Sequence, residues 1–239
     1  MPEQPTTITT ATPLVALEAQ RLCCGYQVIQ VVHDLDLTVR PGEIVAMLGA
    51  NGAGKSTTLL TLAGVLPPIS GAVLLHGERT RGSLQRRARA GLGLLKESTS
   101  VFPTLSVAQN LALGRGTVER VYEIAPELRA LERRRGGLLS GGQQRILATA
   151  RALAADPRIL LVDELSLGLA PMVTERLLTL LRDHANQGTA VLLVEQHARH
   201  ALAVADRVIV VRRGEIVLES TADALRDRVD DLHDLYFGT

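Results

Sequence analysis

The distribution of apolar residues along the chain predicts two kinds of β-strand. Between residues 35 and 39, apolar residues alternate with aspartate and threonine, which is the pattern of an antiparallel strand with one buried face, and Pro41-Gly42 ends it in a turn. Uninterrupted apolar runs follow at 44–48, 159–162, 190–194 and 208–211. Runs of this length and composition are typical of strands buried on both faces of a parallel sheet.

Helical patterns lie between these runs. The segment 171–187 begins with Pro171 and is followed by Gly188, as expected for a helix start and a helix end. Its apolar face is predicted to hold Val173, Leu177, Leu180, Leu181 and His184. Strands that alternate with helices imply a mostly parallel sheet covered by helices on both faces, which is an α/β fold.

The middle of the chain has a different pattern. Between about 98 and 138 the buried-strand runs stop, and segments around 106–113 and 119–131 have helical character. We predict a helical subdomain inserted at about 98–155 within a single domain that covers 14–239. Residues 1–13 are rich in threonine and proline and are predicted to form a flexible tail.

Composition and charge exclude several classes of protein. Lys and Arg number 26 against 25 Asp and Glu, for a net charge of +1, so no overall field attracts nucleic acid and no nucleic-acid partner is expected. Arginine clusters at 79–89 and 133–135 lack interleaved aromatics, and we interpret them as solvated faces or partner contacts. The N-terminus shows no secretory signal, and glycines and prolines break the charge-free stretch 56–75. We therefore expect a cytoplasmic chain that does not itself enter the membrane.

The strongest chemical signal is GANGAGKST at 49–57, directly after the run 44–48 and before a helix that begins near Lys55. A strand, a glycine-rich loop and a helix form the context of a phosphate-binding loop, in which backbone N–H groups point at the β-phosphate. In such a loop Lys55 bridges the β- and γ-phosphates and the Ser56 hydroxyl ligates Mg²⁺. The predicted phosphate-binding residues are Gly49, Asn51, Gly52, Ala53, Gly54, Lys55, Ser56 and Thr57.

A second site is predicted at the end of another buried strand. ILLVDE at 159–164 ends in two carboxylates. Asp163 at the strand tip is expected to hold Mg²⁺ through water, and Glu164 to orient and polarise the attacking water. Alone, an apolar run that ends in Asp-Glu often marks only a strand entering a loop, so the prediction depends on the phosphate-binding loop.

The third motif is LSGGQ at 139–143. With the two motifs above, it makes the sequence resemble the ATP-binding cassette (ABC) ATPase family from about Leu17 to about Leu218. The resemblance implies a P-loop NTPase sheet domain with an N-terminal antiparallel β region and an inserted helical subdomain, which binds ATP and Mg²⁺ and hydrolyses ATP.

The resemblance also implies a role for this signature in a dimer, where it holds the γ-phosphate of ATP bound to the opposite subunit. A hydroxyl and exposed backbone N–H groups at a helix start suit that contact. The alternative interpretation is a simple helix cap. The residues concerned are Ser140, Gly141, Gly142 and Gln143.

Three further positions follow from the resemblance. Tyr26 matches the aromatic residue that stacks on adenine, with a structural ring as the alternative. Glu97 stands where most members carry a glutamine that senses Mg²⁺, and it is either a magnesium ligand or an exposed loop acid. Gln196 occupies the switch position, usually histidine, that contacts the γ-phosphate and assists catalysis, unless a shift in register gives this role to His197.

Glu97, VEQ at 194–196 and SLGLAP at 166–171 together look like one subgroup of the family. It comprises ATPase subunits of high-affinity importers for branched-chain amino acids, with related urea and amide importers. The expected partners are transmembrane permease subunits, a second ABC ATPase subunit and, indirectly, a substrate-binding protein. A heterodimer is expected and a homodimer is the alternative; the chain would lie on the inner face of the cell membrane.

Two departures from the family pattern leave other interpretations open. Leu165 replaces a usual proline, and Leu169 replaces an aspartate that often contacts the other subunit. A degenerate cassette that acts as a regulatory half-site is therefore one alternative, and a non-transport ABC ATPase acting on ribosomes or DNA is another. A P-loop kinase or GTPase would have no reason to contain the signature.

Overall fold

The computed structural model describes residues 15–27, 29–96 and 100–229, and its strands form two sheets. The tail predicted at 1–13 and the candidate ligand Glu97 lie outside the described residues. The strands are β1 (Leu17–Tyr26), β2 (Ile29–Val39), β3 (Ile44–Leu48), β4 (Ser70–Leu75), β5 (Glu78–Thr80), β6 (Leu92–Leu95), β7 (Ile159–Asp163), β8 (Ala190–Glu195), β9 (Arg207–Arg212) and β10 (Glu215–Thr221).

Eight α-helices and three short 3₁₀ segments connect the strands in the described part of the chain. The α-helices are α1 (Lys55–Ala63), α2 (Leu84–Arg89), α3 (Val107–Ala112), α4 (Val118–Ile124), α5 (Gly141–Leu153), α6 (Pro171–Asn186), α7 (Ala198–Val204) and α8 (Ala222–Leu225). The 3₁₀ segments are Pro126–Leu131, Gly136–Leu138 and Arg226–Arg228. Within the described ranges, no helix has the length and apolarity needed to cross a bilayer.

The larger sheet has the order β10-β9-β3-β8-β7-β6. Its neighbours from β9 to β6 pair in parallel, and β10 is an antiparallel edge strand. Every residue of β3, β7 and β8 is buried, as the uninterrupted apolar runs predict. The predicted α/β fold with a mostly parallel sheet is confirmed.

The smaller sheet is antiparallel, with the order β2-β1-β4-β5. Leu35, Leu37 and Val39 are buried and Asp36 is exposed, so the alternation predicts the buried face of β2 correctly. This sheet is the N-terminal antiparallel region that the resemblance implies.

The apolar side chains of β3 alternate between two hydrophobic cores. Ile44, Ala46 and Leu48 point into a core that includes residues of α5 and α6, and Val45 and Met47 point into a second core with α1 and the antiparallel sheet. The central strands are therefore covered on both faces, which holds their carboxyl ends in a fixed arrangement.

Helix α6 confirms the predicted helix at 171–187 almost to the residue. Leu177, Leu180, Leu181 and His184 are buried, and Val173 is partly buried against the same core. The helix begins at Pro171, whose missing N–H would have no partner there, and Gly188 follows it with a positive φ of 108°.

The predicted continuous helix at 119–131 is wrong in one respect. Helix α4 ends at Ile124, and residues 126–131 form a separate 3₁₀ segment. Pro126 disfavours helical backbone at the residue before it, and Ala125 has φ −134° and ψ 77°.

Strand β6, a short LGLL segment at the edge of the larger sheet, is not predicted above. Helices α3, α4 and α5 lie between β6 and β7 in the chain; their grouping into a subdomain at 98–155 stays a prediction.

Candidate functional site

The glycine-rich loop joins β3 to α1, in the predicted context of strand, loop and helix. Gly54 is the N-cap of α1 and has φ 103°, a conformation that favours glycine. A Cβ atom on Gly49 would lie 2.3 Å from the Val211 carbonyl oxygen, so only glycine allows β9 to approach the loop this closely. The loop is therefore closely packed against β9 at one end and continuous with a helix N-terminus at the other.

Lys55 lies inside this loop and is only 4% exposed. Its ammonium donates to the carbonyl oxygens of Gly49 at 2.8 Å and Ala50 at 3.1 Å. Burial lowers the pKa of Lys55, and the nearby carboxylates of Glu164, Asp163 and Glu195 oppose that shift. A partly desolvated cation at a helix N-terminus is suited to bind an anionic phosphate chain.

Ser56 and Asp163 meet across the sheet. The Ser56 hydroxyl donates to Asp163 Oδ1 at 3.2 Å, although 107 residues separate them in sequence. Strand β3 leads into the loop before Ser56, β7 ends at Asp163, and β8 lies between these two strands. The strand order and the start of α1 therefore bring the two side chains together. Both sequence-predicted magnesium positions in the described chain are thus neighbours.

This pair fits Mg²⁺. A hydroxyl and a carboxylate are hard oxygen ligands, and Mg²⁺ is usually held by one or two carboxylates with phosphate and water oxygens completing the shell. In the described part of the chain, no group of three or more His, Cys, Asp or Glu side chains converges on one metal position.

Glu164 follows Asp163 at the end of β7 and is partly exposed. Its φ of 44° is unusual for a residue other than glycine, and its backbone N–H donates to the Val194 carbonyl at 2.9 Å. The next residue, Leu165, is 1% exposed and packs into the core. The loop that carries Glu164 is therefore anchored on both sides of the residue.

Gln196 and His197 follow β8, the strand between the two predicted sites. Gln196 is partly buried, whereas the exposed ring of His197 lies edge-on to His200, with 5.4 Å between the ring centroids. His197 is also the N-cap residue of α7. The residue that directly extends β8 beyond Glu195 is thus Gln196.

The signature segment forms an exposed helix start. Ser140 caps α5 and accepts a hydrogen bond from the Gln143 N–H at 3.2 Å, and Gln143 Oε1 accepts from the Ser140 N–H at 3.0 Å. This reciprocal pair is a capping box, so the cap interpretation describes the local geometry correctly. Ser140 and Gly141 are nevertheless exposed to solvent.

The fold of the chain does not require glycine at position 141. A Cβ atom there would meet nothing within 4 Å, and the residue has no positive φ. Neither the space around this residue nor its backbone conformation within the chain therefore explains glycine at this position.

Tyr26 ends β1 with a side chain that is 48% exposed. An exposed ring at a strand end has a free face for a base to stack on, and a buried structural ring would not.

Sequence reasoning did not single out Glu195. It is a buried carboxylate, 1% exposed, at the end of β8, and burial raises its pKa. The available signal was the charged residue that directly follows the apolar run 190–194.

The parallel sheet and the loop before α1 define a P-loop NTPase, and comparison with known proteins identifies the family. Residues 32–166 match the family described as ABC transporter, which is more than half of the chain. The chain therefore belongs to the ABC transporter family: it is an ATP-binding subunit and an ATPase.

Relatives and a solved structure agree with this assignment. The high-affinity branched-chain amino acid transport ATP-binding protein BraG of Pseudomonas aeruginosa is 39% identical over 232 residues, which cover 93% of this chain and 99% of BraG. The lipopolysaccharide export system ATP-binding protein LptB of Escherichia coli K12 is 33% identical over 220 residues, 87% of this chain and 91% of LptB. A dimeric ATP-binding cassette in a post-hydrolysis state, bound to ADP and Pi, superposes with a TM-score of 0.76 at 25% identity, covering 86% of this chain and 98% of that one.

Gly52 offers a test of the phosphate-binding loop. Gly52 and Gly77 both have φ 81°, and a Cβ atom on either would meet nothing within 4 Å. Gly52→Ala and Gly77→Ala should therefore destabilise the fold by similar amounts, about 1–2 kcal/mol each from backbone strain. Only Gly52→Ala should weaken ATP binding, because only Gly52 lies in the predicted phosphate-binding loop.

Urea denaturation and ATP titration of both variants give the two quantities. Equal ATP affinities for the two variants would contradict the assignment of the loop.

Proposed function

We propose that this ATPase drives the import of branched-chain amino acids or a related small solute. The pattern of Glu97, VEQ at 194–196 and SLGLAP at 166–171 supports this, as does the likeness to BraG. LptB, which is also similar over most of the chain, favours a second candidate, export of lipopolysaccharide. The chain would act on the inner face of the membrane, paired with a second ATPase subunit, on permeases fed by a substrate-binding protein.

One observation carries the assignment of the hydrolytic site: the 3.2 Å hydrogen bond between Ser56 and Asp163. This bond supports the assignment because it brings the two candidate magnesium ligands together at the start of α1, which directly follows the predicted phosphate-binding loop. Ser56 and Asp163 would hold Mg²⁺, which would neutralise charge on the β- and γ-phosphates. Lys55, already attracted by three carboxylates, then bridges the same phosphates.

Hydrolysis follows from the positions of Glu164 and Gln196. Glu164 orients a water molecule and accepts its proton as the water oxygen attacks the γ-phosphorus; the bond from that phosphorus to the β–γ bridging oxygen breaks, and ADP and phosphate are released. Gln196 donates a hydrogen bond to the γ-phosphate, which a glutamine amide can do without a positive charge. Tyr26 stacks on adenine.

The signature of a partner subunit completes each site. Ser140, Gly141, Gly142 and Gln143 present a hydroxyl and backbone N–H groups at the exposed start of α5, where the helix dipole favours an anion. ATP thus joins the two subunits, and hydrolysis separates them. Closure changes the permease because ATP binds the closed dimer more tightly than the open one.

Replacing the candidate base tests the chemistry. Glu164→Gln removes the proton acceptor and keeps the size of the side chain, so we expect ATP turnover to fall at least about 100-fold, in the range of general-base contributions. ATP affinity should stay near that of the wild type. Phosphate release and nucleotide titration measure the two.

The matched control is Glu123→Gln, on the exposed face of α4, which should hydrolyse ATP like the wild type. Robust turnover by Glu164→Gln would remove Glu164 from this role.

Gly141→Ala tests the contact across subunits. Because the chain itself leaves room for a Cβ, the variant should fold with equal or greater stability, by up to about 1 kcal/mol. ATP-dependent dimer formation and turnover should be lost, since the methyl group would meet the partner's nucleotide. Analytical ultracentrifugation with and without ATP, in the Glu164→Gln background and both alone and with the second ATPase subunit, reports the dimer. An ATP-dependent dimer of normal strength would contradict the model.

The solute is tested in the organism that carries this chain. Deletion of its gene should lower the uptake of labelled leucine, isoleucine and valine, and the wild-type gene should restore it while the Glu164→Gln form does not. Undiminished uptake of these amino acids, together with a loss of lipopolysaccharide at the cell surface, would favour the export function instead.

A further inference from the structure

Glu195 is a buried carboxylate that lies between the phosphate-binding loop and the loop of the candidate base. The register of the sheet places Leu48, the residue before the phosphate-binding loop, opposite Glu195, and it places Asp163 opposite Val194. Glu195 thus ends the strand between the two strand tips that carry the predicted chemistry. It is 1% exposed.

Both oxygens of this carboxylate bind the same residue. The Ser166 backbone N–H donates to Glu195 Oε1 at 3.0 Å, and the Ser166 hydroxyl donates to Glu195 Oε2 at 3.0 Å. The backbone N–H of Gln196 also interacts with the carboxylate. Hydrogen bonds to an ionised acceptor are stronger than neutral ones, and the partners here are shielded from water.

These bonds join the two segments that flank the reacting phosphate in the proposed mechanism. Ser166 lies two residues after Glu164, whose own N–H is bonded to Val194. Leu165, between them, is held by the core. The loop of the candidate base is therefore attached to two successive residues at the end of β8, and Gln196 is the next residue of that strand end.

We propose that Glu195 is a positioning residue for ATP hydrolysis, which holds the loop of Glu164, through Ser166, in a fixed relation to Gln196. The proposal rests on the roles proposed above for Glu164 and Gln196. Glu195 does not contact the nucleotide in this scheme; it fixes the two groups that do.

Stability alone does not explain a carboxylate at this position. Desolvation is the main cause of the raised pKa of Glu195, and the bonds from Ser166 and Gln196 oppose it only in part. A buried ionised group is costly to the fold, and a neutral side chain of the same shape avoids that cost. Both carboxyl oxygens instead accept hydrogen bonds from Ser166, which is consistent with a function in positioning that residue rather than in packing.

The test compares Glu195→Ala with Glu195→Gln in the full-length chain. Glu195→Ala removes both side-chain acceptors for Ser166, and we expect kcat for ATP to fall by about 10- to 100-fold, as for residues that orient metal ligands through hydrogen bonds. KM should change little, because the lost interaction acts in the transition state rather than in nucleotide binding. The amide of Glu195→Gln can still accept from the Ser166 N–H and donate to its hydroxyl, so its kcat should lie between wild type and Glu195→Ala.

Ser166 supplies a double-mutant cycle. If the two residues act as one unit, Glu195→Ala combined with Ser166→Ala should lose no more activity than Glu195→Ala alone.

Hydrogen exchange gives a readout that is independent of turnover. The backbone amide of residue 166 should exchange faster in Glu195→Ala, and it should stay protected in Ser166→Ala, which keeps the N–H donor. Glu123→Ala, an exposed change on α4, is the matched control for the loss of a glutamate.

Any of three kinetic results would overturn the proposal: unchanged kcat in Glu195→Ala, additive losses in the double variant, or a loss in Glu195→Gln as large as that in Glu195→Ala. The last of these would point to the charge of the side chain rather than to its hydrogen bonds. A fall in melting temperature that accounts for the lost activity would also overturn it. Failure of the proposed function is distinguishable, because it would show as normal turnover by Glu164→Gln.

Discussion

The candidate site depends on the alignment of three parallel strand ends. Strands β3, β8 and β7 are adjacent, and their register places the phosphate-binding loop, Glu195 and Asp163 at one edge of the sheet. The Ser56–Asp163 hydrogen bond exists only because this order brings the start of α1 over the tip of β7. A slip of one residue in either strand pair would turn the carboxylates toward the opposite face and separate them, so register is the constraint on which the chemistry depends.

The surrounding core makes that register rigid. Side chains of β3 alternate into two aliphatic cores, and each core is closed by helices or by the antiparallel sheet. Burial of so much apolar surface stabilises the fold enough to hold Lys55, Asp163 and Glu195 largely out of water, each at a cost in desolvation. The charged groups reduce one another's cost, since the carboxylates oppose the lowering of the Lys55 pKa.

The sequence predicts the strands and helices correctly where the local residue pattern agrees with the tertiary structure. The runs 44–48, 159–162, 190–194 and 208–211 become buried strands because their length and apolarity suit no exposed structure. The LGLL strand β6 has three leucines and a glycine without a distinctive period, and its pairing with β7 fixes it instead. Pro126 indicates that the helix ends before it, but the apolar pattern of 119–131 favours one continuous helix, so the sequence alone predicts the wrong helix end.

Glu195 shows why short sequence motifs do not identify every residue of a site. A motif marks residues that touch the ligand, and these share a short segment with a recognisable spacing. Glu195 and Ser166 are 29 residues apart and meet only through the pairing of β7 with β8. Leu165, which departs from the family pattern, adds to this case: a leucine buried in the core fixes the loop by packing where a proline would fix it by restricting φ. The departure at Leu165 is therefore compatible with an ordered loop.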